Sequence, residues 1–227
     1  MRYSAFENTM STERMSRYLT ACRGDTRKAM TLYRLNLRLS EELFTVIGCF
    51  EVALRNSIDR HYLSSLGNDW LKQSAIAGGI FDNPRSKVAA DTINDLVNKL
   101  NNYYSHSKLV SELGFGFWRY LFSPFQFRAA GQSLIAIFPS RPFSTPTVQY
   151  NASFVFNELA CINKLRNRLA HHEPVCFIPM QPVKDTTFAR QNYSLIRQLF
   201  QWMSIDEAAL LYGLDHINNV CNQIDAL

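Results

Sequence analysis

Two arginines, an amide, two histidines and a carboxylate stand together at Arg166-Asn167-Arg168-Leu169-Ala170-His171-His172-Glu173, and Pro174 closes the run. Guanidinium groups bind and neutralise phosphate. An imidazole that titrates near neutrality can take a proton and return it. Side by side, these groups are equipment for phosphodiester chemistry, in which one group stabilises charge while another moves a proton.

The spacing decides whether they can act together. On a helical wheel at about 100° per residue, with Ile162 at zero, Val155, Leu159, Leu165 and Leu169 fall within about 60° and form a core-facing stripe. On the same wheel Arg166 lies about 40° from the stripe's centre, at the edge of the core, whereas His171 lies about 180° away. Asn167 precedes His171 by one turn, so amide and imidazole can hydrogen-bond. His172 falls about 80° off the stripe, on its other flank. Pro174 disfavours helix at Glu173, which places both histidines at a helix C-terminus, where the dipole favours imidazolium. Arg166 and His171 are thus about 140° apart on one helix. They meet on one phosphate only if the last turn unwinds, if arginine's length spans the gap, or if a second copy completes the site.

A bland reading stands beside this one. The paired histidines can cap orphan carbonyls, and Arg166 can bridge to Glu51 or Asp59 on a facing helix. An echo of the motif occurs in Glu51-Val52-Ala53-Leu54-Arg55-Asn56-Ser57-Ile58-Asp59-Arg60-His61. Its Arg55 and Glu51 stand one turn apart and can pair within their own helix, or Glu51 or Asp59 can orient Arg166 from a facing helix. The aromatic run from Phe115 to Phe127 fits a core better than a base-stacking platform, and lone His106 and His216 read as surface or capping residues.

The elements that must carry the motif read as helices throughout. Ser11 caps a helix to about Cys22, with Gly24 as its stop, and Asp25 caps the next, which runs toward Leu66. Within it Leu43, Ile47, Phe50, Leu54, Ile58 and Tyr62 form a buried stripe. A helix over about 86–103, striped by Val88, Ile93, Leu96 and Leu100, precedes short aromatic-rich pieces. Residues 139–146 form a proline-rich connector, and the motif helix follows from about Asn151. Ser204-Ile205-Asp206-Glu207 reads as the capping box of the last helix. The expectation is an all-α bundle, one domain over residues 1–227, with shorter helices inserted over 67–146.

Bulk properties fit a globular protein: 227 residues, 47% apolar and 13% aromatic. The Leu43–Leu54 stretch is far short of the about 20 residues that span a bilayer. No apolar leader follows Met1, so a cytoplasmic location without a membrane partner is the expectation. Five widely spaced cysteines suggest neither a disulfide framework nor a zinc site. Glycine-rich phosphate loops, HExxH and DxD patterns are missing, so no metal or other cofactor is expected. The net charge of +5 permits a polyanionic partner, and Arg14, Arg17, Arg23, Arg27 and Lys28 concentrate charge near the N-terminus.

Arg166-Asn167 followed by His171 resembles the Arg-x4–6-His signature of HEPN domains. The longer string through His172-Glu173-Pro174 resembles their Abi-like (abortive infection, AbiD/AbiF type) branch. Leu32-Tyr33-x-x-Asn36-x-x-Leu39-Ser40, Phe50 to Asn56 and Gly116-Phe117-Trp118 add to the likeness, which covers about residues 25–175. The resemblance implies a HEPN-like helical bundle, a homodimer, and a metal-independent endoribonuclease serving phage defence or acting as a toxin. It assigns Arg166 to the scissile phosphate, His171 to proton transfer, and Asn167 to orienting His171 or touching phosphate. Arg168, His172, Glu173, Glu51 and Arg55 fall to a supporting shell. It also implies RNA as partner, as substrate and in some relatives as a structured small antitoxin RNA. A non-catalytic RNA-binding protein of the same fold is the alternative.

Overall fold

A computed structural model describes residues 1–227. It contains twelve α-helices, two short 3-10 turns and no sheet; one isolated antiparallel bridge joins Phe177 and Lys184. The all-α expectation is met. No helix is long and apolar enough to cross a membrane.

The helices are α1 (Tyr3–Met10), α2 (Thr12–Ala21), α3 (Thr26–Leu66), α4 (Trp70–Ser74), α5 (Lys87–Leu100), α6 (His106–Glu112), α7 (Phe115–Tyr120), α8 (Pro124–Ala129), α9 (Ala152–Ala170), α10 (Thr187–Trp202), α11 (Glu207–Leu210) and α12 (Ile217–Ala226). They divide between two compact units. The first holds residues 1–48, 164–198 and 206–227, and the second holds 49–163 and 199–205. The shorter helices expected over 67–146 all fall in the second unit.

Local chemistry sets the helix starts. Ser11 accepts the Arg14 N–H at the head of α2, and Asp25 accepts those of Arg27 and Lys28 at the head of α3. α1 was not expected; it has no side-chain cap and buries only Phe6, so its sequence carries little signal. α10 was not expected either, although Ala189, Tyr193, Ile196 and Phe200 recur along it and are buried. The capping box at 204–207 is corrected. Asp206 is the cap, accepting the Ala209 N–H, and α11 ends after one turn. α12 starts afresh beyond Gly213, whose φ of 72° breaks the helix.

In the first unit the aromatic contacts Phe6–Tyr33, Tyr18–Tyr33 and Tyr18–Phe177 lie at centroid distances of 5.0–5.4 Å, over a core that includes Leu32, Leu39, Leu43, Leu165 and Leu169. In the second, Phe50 stacks edge-on to Phe200 at 5.2 Å, and Phe115, Trp118 and Phe122 are buried with it. The aromatic run is therefore core in part, since Phe117, Phe125 and Phe127 are half-buried and Tyr120 is exposed. Val88 departs from its expected stripe and is 80% exposed, because Ala90 and Ile93 take the inward positions of α5.

His106 is neither a surface nor a capping residue. Its Nε2 meets Asp59 Oδ1 at 2.7 Å and its Nδ1 lies 3.6 Å from Asp69. Asp59 also accepts the Trp70 indole N–H at 2.8 Å, and Tyr104 donates to Asp69. These contacts join residues from α3, α6 and the segment around α4, pinning the second unit where local propensity is weak. Asp59→Ala would orphan the donor of a buried Trp70 and should cost about 2–3 kcal/mol in denaturant unfolding. Asp59→Asn, which keeps an acceptor, should cost less; equal losses would contradict the network.

Candidate active site

The end of α9 sets the geometry of the motif. Leu165 and Leu169 are buried, Arg166 and Arg168 are half-buried, and Asn167 and His171 are exposed. The wheel therefore separates arginine from histidine as expected. The His171 N–H still bonds the Asn167 carbonyl at 3.0 Å, so the helical hydrogen bonds reach His171 and the last turn does not unwind. Of the three ways to join Arg166 to His171, that one is removed.

Beyond His171 the chain makes a Schellman turn. The His172 N–H reaches back to the Leu169 carbonyl at 3.0 Å, and the Glu173 N–H to the Arg168 carbonyl at 2.8 Å. His172 holds the left-handed position of this turn, with φ 54°, where glycine is the usual occupant. Asn167 and His171 make no side-chain hydrogen bond with each other, and both face water, which competes for such a pair.

Arg168 acts as a strut. It donates to the Pro174 carbonyl at 2.7 Å and to Glu173 at 3.3 Å, and lies 4.7 Å from the Phe188 ring centroid. Glu173 is exposed, so its ion pair contributes little by itself. The segment after the turn is fastened from α2 and α3. Buried Asn36 accepts the Val175 N–H at 2.9 Å, and Arg14 donates to the His172 carbonyl at 3.0 Å. Arg17 donates to the Ile178 and Gln181 carbonyls, both at 2.7 Å, and stacks over Phe177.

The five N-terminal basic residues thus divide. Arg14 and Arg17 hold the loop that follows the motif and also line an open groove of about 420 Å³ with Ser11, Glu13, Tyr18 and Pro174. Arg23 and Arg27 are exposed, and Lys28 reaches the Leu227 carbonyl at 3.2 Å. In the second unit Glu51 and Arg55 are half-buried. Asp59, offered as a partner for Arg166, is engaged by Trp70 and His106. The echo motif is used differently: His61 Nε2 lies 2.8 Å from Ser133 Oγ, and burial lowers the pKa of its imidazole. Nowhere do three or more His, Cys, Asp or Glu side chains gather in a metal-binding group. The cysteines are all free, with Cys176 and Cys221 buried and Cys161 exposed.

The loop-holding roles of Asn36, Arg14 and Arg17 were not foreseen. Asn36 had a signal, as an amide within the otherwise apolar spacing of Leu32, Tyr33 and Leu39. The arginines had none, since their partners lie more than 150 positions along the chain.

A family model described as Abi-like protein matches residues 1–176. No curated protein and no solved structure matches the chain.

Two stability outcomes follow from the turn. His172→Gly relieves a left-handed residue of its side chain and should raise unfolding stability by about 0.5–1 kcal/mol. Asn36→Leu strands the buried Val175 N–H and should lower stability by about 1–3 kcal/mol. Thermal or urea unfolding reads both; a neutral Asn36→Leu would mean that the loop is held without it.

Proposed function

The chain belongs to the Abi-like protein family, and on that premise we propose that it is an abortive-infection effector that cleaves RNA without a metal ion. The observation that carries this reading is His171. It is exposed, set by an intact helical turn, and accompanied on the same two turns by half-buried Arg166. Packing does not account for an outward imidazole at that position.

In the reaction His171 removes the proton from a ribose 2′-OH. The O2′ then bonds to phosphorus as the bond to the 5′-oxygen breaks, leaving a 2′,3′-cyclic phosphate. Arg166 neutralises the non-bridging oxygens as charge builds on them, and the departing 5′-oxygen takes a proton from a second imidazole. That imidazole is His171 of a second copy. Because the last turn of α9 stays wound, pairing across two copies closes the angular gap that one helix leaves open. Asn167, with no intramolecular side-chain partner, is placed to contact phosphate. His172, Glu173 and Arg168 shape the turn.

The test is incubation of purified protein with RNA in EDTA. Cleavage should leave cyclic phosphate ends, and Arg166→Ala and His171→Ala should each lose at least about a hundredfold in rate while remaining folded. Mixing wild type with an equal amount of His171→Ala distinguishes where the site is built. If His171 of both copies is needed, randomly exchanged dimers keep about a quarter of the activity of the same total amount of wild type. A site built within one chain keeps about half. Full activity in His171→Ala would refute the assignment outright.

A second reading draws on exposed Arg23 and Arg27 and on the Arg14–Arg17 groove. These suit a non-catalytic protein that holds a structured small RNA. Affinity would then fall with salt, Arg23→Glu with Arg27→Glu would weaken it, and no cleavage product would form.

A further inference from the structure

The second unit contains a cavity of about 610 Å³, within the range of small-molecule sites. It is bordered by α5, α7, α8 and α9, and none of the residues lining it is acidic. Two guanidiniums reach it. Arg119 is half-buried, stacks 3.9 Å from the Phe156 ring centroid, and donates from Nε to the Phe156 carbonyl at 3.2 Å. Those contacts fix its plane and leave its two terminal nitrogens unbonded within the chain. Arg85 lies over the Phe125 ring at 5.4 Å. Neither is paired with a carboxylate, and burial lowers the pKa of Arg119, the direction for a cation withdrawn from water without a counter-ion. The cavity therefore presents oriented positive charge that nothing in the chain neutralises.

Its other groups narrow the ligand further. Gln126 is 5% exposed yet lines the cavity. Its amide oxygen accepts from Ser123, which leaves its amide nitrogen to donate to a ligand in the cavity. Asn163 adds a second amide, while Phe117 and Tyr120 supply aromatic rings. On α7, a Cβ added at Gly116 would meet nothing within 4 Å, so the cavity is open there. Ring faces suit a flat molecule, amides read the edge of a heterocycle, and paired arginines take a phosphate.

We infer that this cavity is a nucleotide-binding site, taking a nucleobase between its aromatic and amide groups with a 5′-phosphate on Arg119 and Arg85. Free mononucleotides and the phosphorylated 5′ end of an RNA share that chemistry. The site shares no residue with the Arg166–His171 motif and stands whether or not the chain cleaves RNA.

Ligand-observed NMR and calorimetry on the full wild-type chain test it with AMP, GMP, CMP and UMP. At least one should bind saturably below about 1 mM, and its nucleoside should bind at least about tenfold more weakly for want of the phosphate contacts. Arg119→Gln should weaken binding by at least about tenfold, and Gly116→Leu, which fills the cavity without backbone strain, should abolish it. Absence of saturable binding by all four mononucleotides at about 5 mM overturns the proposal, as does binding that survives Gly116→Leu. Short oligoribonucleotides with and without a 5′-phosphate separate the sources. Preference for the phosphorylated oligomer identifies an RNA end, and binding of mononucleotides alone identifies a free metabolite.

Discussion

The hydrogen bond from the Val175 N–H to the buried side chain of Asn36 fixes where the chain goes after α9. A helix end leaves carbonyls and donors that water can satisfy only at the surface. Here the chain turns inward within three residues of His172, and Val175, Cys176 and Phe177 are all buried. Their backbone groups need internal partners, and they have them: Asn36 for Val175, the Asp185 N–H for the Cys176 carbonyl, and Arg17 for the carbonyls farther on. With the exit fixed, the Schellman turn has one way to close, and His172 is held left-handed although glycine would fit more easily. The direction in which α9 presents His171 follows from how the helix is stopped as much as from the helix itself.

What was legible in the sequence was local. Ser11 and Asp25 cap the helices they precede, the stripe from Leu43 to Tyr62 is buried along its whole length, and Pro174 coincides with the end of the motif helix. These depend on interactions within a few residues, and periodicity reports them faithfully. The failures have the opposite character. Val88 does not join the stripe expected for it, since α5 is rotated so that Ala90 and Ile93 face inward. His106 looked unattached because its two carboxylates lie 47 and 37 positions away. The motif residues could be picked out one by one. Their joint geometry rested on whether the final turn stayed wound, which the neighbouring proline leaves undecided and the His171–Asn167 backbone bond answers.

The arginines show how the partner of a charge reveals its work. Arg14, Arg17 and Arg168 donate to main-chain carbonyls at 2.7–3.0 Å, and Arg190 ties Thr186 to Asp225 at the foot of α12. Such residues hold the chain together, and a basic composition counts them along with any that bind a ligand. A carbonyl accepts hydrogen bonds but carries no full charge, so an arginine held this way keeps much of its field. Arg14 and Arg17 can therefore fasten a loop and still present charge to the adjoining groove, which Glu13 also lines.

Arg119 lies at the other extreme. One nitrogen is bonded, its face is covered by Phe156, and its remaining donors open on a cavity with no acidic wall. For a half-buried guanidinium held in plane without a carboxylate, one carbonyl and one ring face offset only part of the desolvation, and an anion in the cavity would complete its partners. The Gln126 amide, whose oxygen accepts from Ser123, lines the same cavity and sets a neutral donor beside the charged one. Net charge, the quantity most readily taken from a sequence, distinguishes none of these situations, because it records how many cations a chain has and not which of them already have something to hold.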